Sequence, residues 1–248
     1  DVLAWHFTEA DESLKAITYW SRAGEAAIAR SAMTDARRQF EHGENLINKL
    51  SKVRASLTSQ DSATLDSLEL ELLGGLGATL WALEGSSDQS LVTLCERVLD
   101  LASKQGRPDR EFDAHLALTN HYYVAGRITQ AESHIRPCLS LAESSQDSDQ
   151  LVSAHRIMGE LAFYLGDLDC AIEHLGRAIE HYHVERQSAL VLKLGDDPGI
   201  LARPYLALSL WLKGEVGNAF KQCNEAIAEA EKFGHVRYRV ATRNRQEF

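Results

Sequence analysis

Residues 164–182 read YLGDLDCAIEHLGRAIEHY and hold two aspartates, a cysteine, two histidines and two glutamates within nineteen positions. Read for chemistry, the stretch offers a metal site or a cysteine–histidine pair. Read for architecture, it offers Gly166, then Ala171, Leu175 and Ala178 at spacings of five, nine and twelve. Recurrence decides between them. GRITQAESHIRPC (126–138) repeats the spacing with Gly126, Ala131, Ile135 and Cys138, and GEVGNAFKQCNEA (214–226) with Gly214, Ala219, Cys223 and Ala226. A weaker copy, GSSDQSLVTLCER (85–97), has Gly85, Ser90, Leu94 and Arg97. The three alanines lie 40 and 48 residues apart, and Ser90 precedes the first of them by 41.

Helix-pair packing explains that spacing. Glycine ends a first helix, where a left-handed residue costs it least. Alanine early in the second helix lets the two helices approach closely, and the large residue four positions on fills the gap. The partner helix should then carry a larger residue four before the glycine and a small one seven before it. These are Ala162 and Gly159 in the best copy, and Tyr122 and Thr119, Leu210 and Ala207, Trp81 and Ala78 in the others.

The rest of the chain fits helices and loops. Segments of roughly 12–18 residues carry apolar positions at i, i+3, i+4 and i+7, broken by Gly, Asp and Ser, and β-branched alternation is rare. A polar break, SKVRASLTSQDS (51–62), follows the first helical stretch, and GDDPG (195–199) offers Asp197 as an N-cap ahead of a first-turn Pro198.

Composition sets the function classes. With 248 residues, 44% hydrophobic and 25% charged, the chain is an ordinary globular one able to bury a sizeable core. A net charge of −10 argues against nucleic acid as a partner. The arginines of RYRVATRNRQEF (237–248) read as a solvated helix face or a ragged terminus. Cys95, Cys138, Cys170 and Cys223 lie far apart inside apolar helical patterns, as small reduced core residues of a cytoplasmic protein would. No apolar run reaches the ~18 residues that span a bilayer, so no membrane partner is expected. The chain opens on Asp1 and reads as an excerpt of a longer protein.

The repeated pattern resembles the tetratricopeptide (TPR) repeat. WSRAGEAAIARSAMTDARRQF (20–40) carries it with Trp20, Ala23, Gly24, Ala27, Ala36 and Phe40 in phase. The copies depart from that family in their spacing of 40 or more residues instead of ~34. Glu143, His183 and Glu231 stand where the motif closes on proline. The resemblance implies an all-α fold, a TPR-like superhelix (α-solenoid) of antiparallel helix pairs. The expected organisation is one repeat domain over 1–248, with pairs at about 1–50, 62–104, 109–144, 147–186 and 198–233.

A narrower resemblance covers most of the chain. LAWHFTEADESLKAITYWSRAGEAAIARSAMTDARRQFEHGENLI (3–47) and GDDPGILARPYLALSLWLKGEVGNAF (195–220) are similar to the helical region of bacterial STAND-type ATPase signalling proteins. In that family a class III adenylate/guanylate cyclase or other output domain precedes the ATPase, which precedes the TPR region. The resemblance ends after His235.

Catalytic motifs are missing from the sequence. There is no GxxxxGK[ST] loop, GxSxG or HExxH; LGGLGA (73–78) lacks the lysine, and its glycines suit close helix packing. His174 and His181 share a helix face, but two turns separate them by ~10.5 Å, too far for one metal. Cys170 and His174 stand at i and i+4, yet nothing else has ligand spacing around them. His115 and His155 occupy one repeat position, where the TPR consensus has tryptophan, which argues for packing. Paired carboxylates such as Glu69/Glu71 and Asp196/Asp197 suit a solvated face or a cap. No catalytic residue, metal ligand or cofactor site is therefore assigned.

Function then resides in surface. The groove positions of the TPR motif fall on Asn120, Tyr123 and Val124; on Arg156, Glu160, Phe163 and Tyr164; and on Leu208, Trp211 and Leu212. Of these, Asn120, Tyr123, Arg156, Glu160, Tyr164 and Trp211 are the candidate binding residues, for a protein or peptide or else a small-molecule effector. The insertion VERQSALVLKLGDDPG (184–199) offers an edge for a partner. Unpaired apolar ends of an excised array would favour a homodimer. The resemblance implies a non-catalytic interaction or sensor region of a cytoplasmic signalling ATPase or cyclase. The alternative is a free-standing adaptor that binds a peptide segment of a partner.

Overall fold

The computed structural model describes residues 2–85, 88–183 and 198–232. Among the described residues, eleven α-helices and one short 3-10 turn make up the regular structure, and no strand occurs. The chain divides into two compact units, 1–126 and 127–248.

The first unit contains α1 (Val2–Glu9), α2 (Ser13–Ala29), α3 (Met33–Lys52), α4 (Ser59–Glu84), α5 (Gln89–Gln105) and α6 (Pro108–Val124). The polar break after α3 is shorter than its composition suggests. A 3-10 turn spans Arg54–Ser56, and Thr58 then caps α4 by accepting a hydrogen bond from the Asp61 N–H at 3.1 Å. Thus α4 starts three residues before the expected boundary and runs for 26 residues.

Phe40 of α3 organises this unit. Its ring is fully buried and lies over Gly24 of α2 and Gly75 of α4. A Cβ at Gly24 would stand 2.5 Å from the ring, and one at Gly75 closer still. One aromatic side chain thus fills space that two glycines vacate, which is the use the LGGLGA glycines suggested. Trp20 stacks on His42 with ring centroids 4.7 Å apart and donates through Nε1 to Thr8 Oγ1 at 3.1 Å. Buried Glu69 is held by Arg97 Nε at 2.6 Å.

The second unit contains α7 (Ile128–Ser145), α8 (Ser148–Leu165), α9 (Leu168–His181), α10 (Pro198–Leu212) and α11 (Val216–Lys232). Here the repeated pattern acts as its spacing demands. Gly126, Gly166 and Gly214 have φ values of 71°, 80° and 84°, in the left-handed region that favours glycine. Ala131, Ala171 and Ala219 are buried in the helices that follow. A Cβ at Gly159 of α8 would meet Leu175 of α9 at 2.6 Å, so this small residue and its large partner set the α8–α9 approach.

The last two helices are pinned by one side chain. Arg203 of α10 donates to both carboxylate oxygens of Glu229 at 2.9 Å, to Glu225 at 2.7 Å and to Gln222 at 2.9 Å. The insertion at 184–199 lies outside the described residues up to 197, as do the arginines of 237–245, and Pro198 begins α10.

Candidate interaction surface

The chemistry-rich stretch 164–182 resolves into structural roles. Asp167 caps α9, its carboxylate accepting from the Cys170 N–H at 3.1 Å. Asp169 pairs with Lys213, joining the α8–α9 turn to the α10–α11 turn. Gly166 closes α8, and Ala171, Leu175 and Ala178 are fully buried. Among the described residues, no group of three or more His, Cys, Asp or Glu side chains is arranged to hold a metal ion.

The histidines differ from their sequence reading in one respect. His174 meets His155 of α8 rather than Cys170 of its own helix, with the two Nδ1 atoms 2.8 Å apart. The His181 ring lies parallel to that of His155, with centroids 6.1 Å apart and 7° between planes. His155 is only 2% exposed. Burial, with the nearby His174, Arg177 and His181, pushes it down to about 4, and burial lowers His174 too. Spacing along one helix could not reveal this pair, because its members lie nineteen residues apart on two helices.

The six candidate binding residues fall into three settings. Asn120 and Tyr123 are half-buried on α6, and Asn120 Nδ2 donates to the Leu116 carbonyl at 3.0 Å. Arg156 and Glu160 form an ion pair one turn apart on α8, at 2.6 Å, with Glu160 3% exposed. A carboxylate so buried is held by its partner and is not an open contact. Tyr164 and Trp211 are the open ones, 55% and 49% exposed. Tyr164 adjoins Tyr205 of α10, a residue absent from the sequence-based set, with their hydroxyls 3.2 Å apart.

Further apolar exposure continues along these turns. Leu165 beside Tyr164, Leu212 beside Trp211, and Val216 and Phe220 at the start of α11 are all exposed. The Lys213–Asp169 pair bridges the two turns that carry them. Exposed apolar groups so grouped are typical of surfaces that meet another molecule. No helix among the described residues is long and apolar enough to cross a membrane.

No protein-family profile matches the chain. A protein of Rhizobium meliloti (strain 1021) is 25% identical over 238 residues, covering 94% of this chain; the chain spans only 22% of that relative's length. Solved structures have the same architecture at low identity. The Rap conjugation gene regulator of plasmid pLS20, in complex with the Phr* peptide, aligns with TM-score 0.60 and 15% identity over 95% of this chain and 59% of its own. A Signal Transduction ATPase with Numerous Domains (STAND) from Pyrococcus horikoshii, which has a tetratricopeptide repeat sensor, aligns with TM-score 0.56 and 12% identity over 93% of this chain and 39% of its own. The fold class is the expected one: all-α, a TPR-like helical repeat solenoid of helix pairs.

Proposed function

We propose that this chain is the non-catalytic interaction or sensor arm of a longer cytoplasmic signalling ATPase of the STAND type, linked to an adenylate/guanylate cyclase or other output domain. Its partner is a protein or peptide segment, with a small-molecule effector as the other occupant of the same surface. The observation that carries the reading is the exposed Tyr164–Trp211 edge on a TPR-like scaffold whose polar clusters are otherwise capped, paired or buried. A Phr* peptide complex of a protein with this fold supports peptide as the partner class, and a STAND protein with a TPR sensor supports the setting. The 22% coverage of the Rhizobium relative is consistent with a much longer parent.

In such an arm, a partner must bind one arrangement of the helices better than another for attached domains to respond. The test is nucleotide turnover in the full-length protein. Tyr164→Ala and Trp211→Ala should change turnover there, while the isolated chain hydrolyses no nucleotide. Turnover identical to wild type in both variants would contradict the proposal, as would hydrolysis by the isolated chain.

A further inference from the structure

The α8–α9 pair contains a polar contact that the interaction reading does not use. His155 and His174 face each other through Nδ1 at 2.8 Å, and His155 is buried on α8, as are Leu151, Val152 and Gly159 on the same helix face. A neutral imidazole has one donor and one acceptor nitrogen. The contact is therefore a hydrogen bond only while one Nδ1 carries a proton and the other does not. With both rings charged, two N–H donors would point at one another and the bond would become a repulsion.

The surroundings do little to support added charge. From α9, Arg177 opposes a cation at both rings and His181 opposes one at His155, while Glu173 favours one at His174; from α7, Glu143 favours one at His174. The charged side chain of α10, Arg203, is engaged by Gln222, Glu225 and Glu229 of α11. On α7, Arg136 pairs with Glu132. On α8, Arg156 pairs with Glu160. The His155 ring meets His174 and His181, and among the described residues no carboxylate is hydrogen-bonded to it.

We infer that the His155–His174 contact is an acid-released latch of the α8–α9 pair, closed while at least one of the two Nδ1 atoms is unprotonated and opened when both rings are charged. The same α8 carries Tyr164, so opening would also disturb the surface proposed above; the latch itself does not depend on that reading. The sign follows from linkage. Both imidazoles take up protons less readily in the folded chain than an ordinary histidine, which titrates near ~6.5. Folding stability is then full above that pH and falls as pH drops towards about 4.

Hydrogen exchange on the whole chain tests the latch. Between pH 7 and pH 5, protection factors of the α8 and α9 amides should fall roughly 20-fold from His155 alone, while α2–α4 amides change much less. In His155→Leu the drop should be clearly smaller, with only the contribution of His174 left, whatever that variant's stability at pH 7. Imidazole nitrogen shifts give a readout on the unaltered protein: His155 should remain neutral at pH 5.5. A His155 ring that titrates at 6 or above would overturn the inference, as would an equal pH-dependent loss in wild type and His155→Leu. A loss spread evenly over both units would do the same.

Discussion

The two units both set aromatic rings and leucines against glycines, and differ in the polar contacts around them. In residues 1–126 the central device is an aromatic wedge: Phe40 occupies the space over Gly24 and Gly75, so one side chain joins α2, α3 and α4. In residues 127–248 a small residue and an aliphatic one, Gly159 and Leu175, set the α8–α9 approach, and the Tyr182 ring lies over Gly199 of α10. His155 and His174 link α8 to α9, and Arg203 links α10 to α11. An apolar wedge stabilises through burial and is insensitive to protonation and to the screening of charges. Ionisable contacts are sensitive to both. Ion pairs that can respond to their surroundings occur in both units, as at Arg97–Glu69 in the first and Arg203–Glu229 in the second; the second unit adds the His155–His174 pair and carries the open Tyr164 and Trp211.

This contrast can be broken experimentally, most severely at Phe40. Phe40→Ala removes a fully buried ring from three helices and should cost about 3–5 kcal/mol in urea unfolding. Hydrogen exchange should assign that loss to residues 2–126. A loss below about 1 kcal/mol would mean that the neighbouring helices collapse onto the vacated space. Equal loss of protection in both units would remove the distinction between them.

Arg203→Met is the matching change in the second unit. It keeps much of the side-chain length but removes every hydrogen bond to Gln222, Glu225 and Glu229. Because these carboxylates can turn towards water, the expected cost is about 1–3 kcal/mol, with faster exchange confined to α10 and α11. High salt should reduce the difference between variant and wild type. A difference unaffected by salt would assign the role of Arg203 to packing of its aliphatic stem.

Trp211→Ser should produce the smallest change. Its ring is half exposed, so the substitution should alter stability by no more than about 0.5 kcal/mol. A cost above about 2 kcal/mol would make Trp211 a core residue and remove it from the interaction surface.

Much of the architecture was legible in the sequence because it rests on local geometry. A glycine at each turn and an alanine five residues later are needs that spacing alone exposes. Gly126, Gly166 and Gly214 have the conformation, and Ala131, Ala171 and Ala219 the burial, which that spacing calls for. The start of α4 was less legible, since Ser59, Gln60 and Asp61 look like loop residues and become helical behind the Thr58 cap. The His155–His174 pair was not legible. Ligand-style spacing is searched along one helix, whereas this contact crosses a turn and depends on how closely Gly159 lets α8 and α9 approach. The burial of Glu160 was hidden for a related reason: its charge suggests surface, and only the Arg156 partner one turn away makes an enclosed position tolerable.

The most direct measurement is to read the gene upstream of the codon for Asp1. The account predicts a continuous reading frame that encodes a GxxxxGK[ST] loop, preceded by a cyclase or other output domain. A start codon close to Asp1 would contradict it and leave a free-standing adaptor.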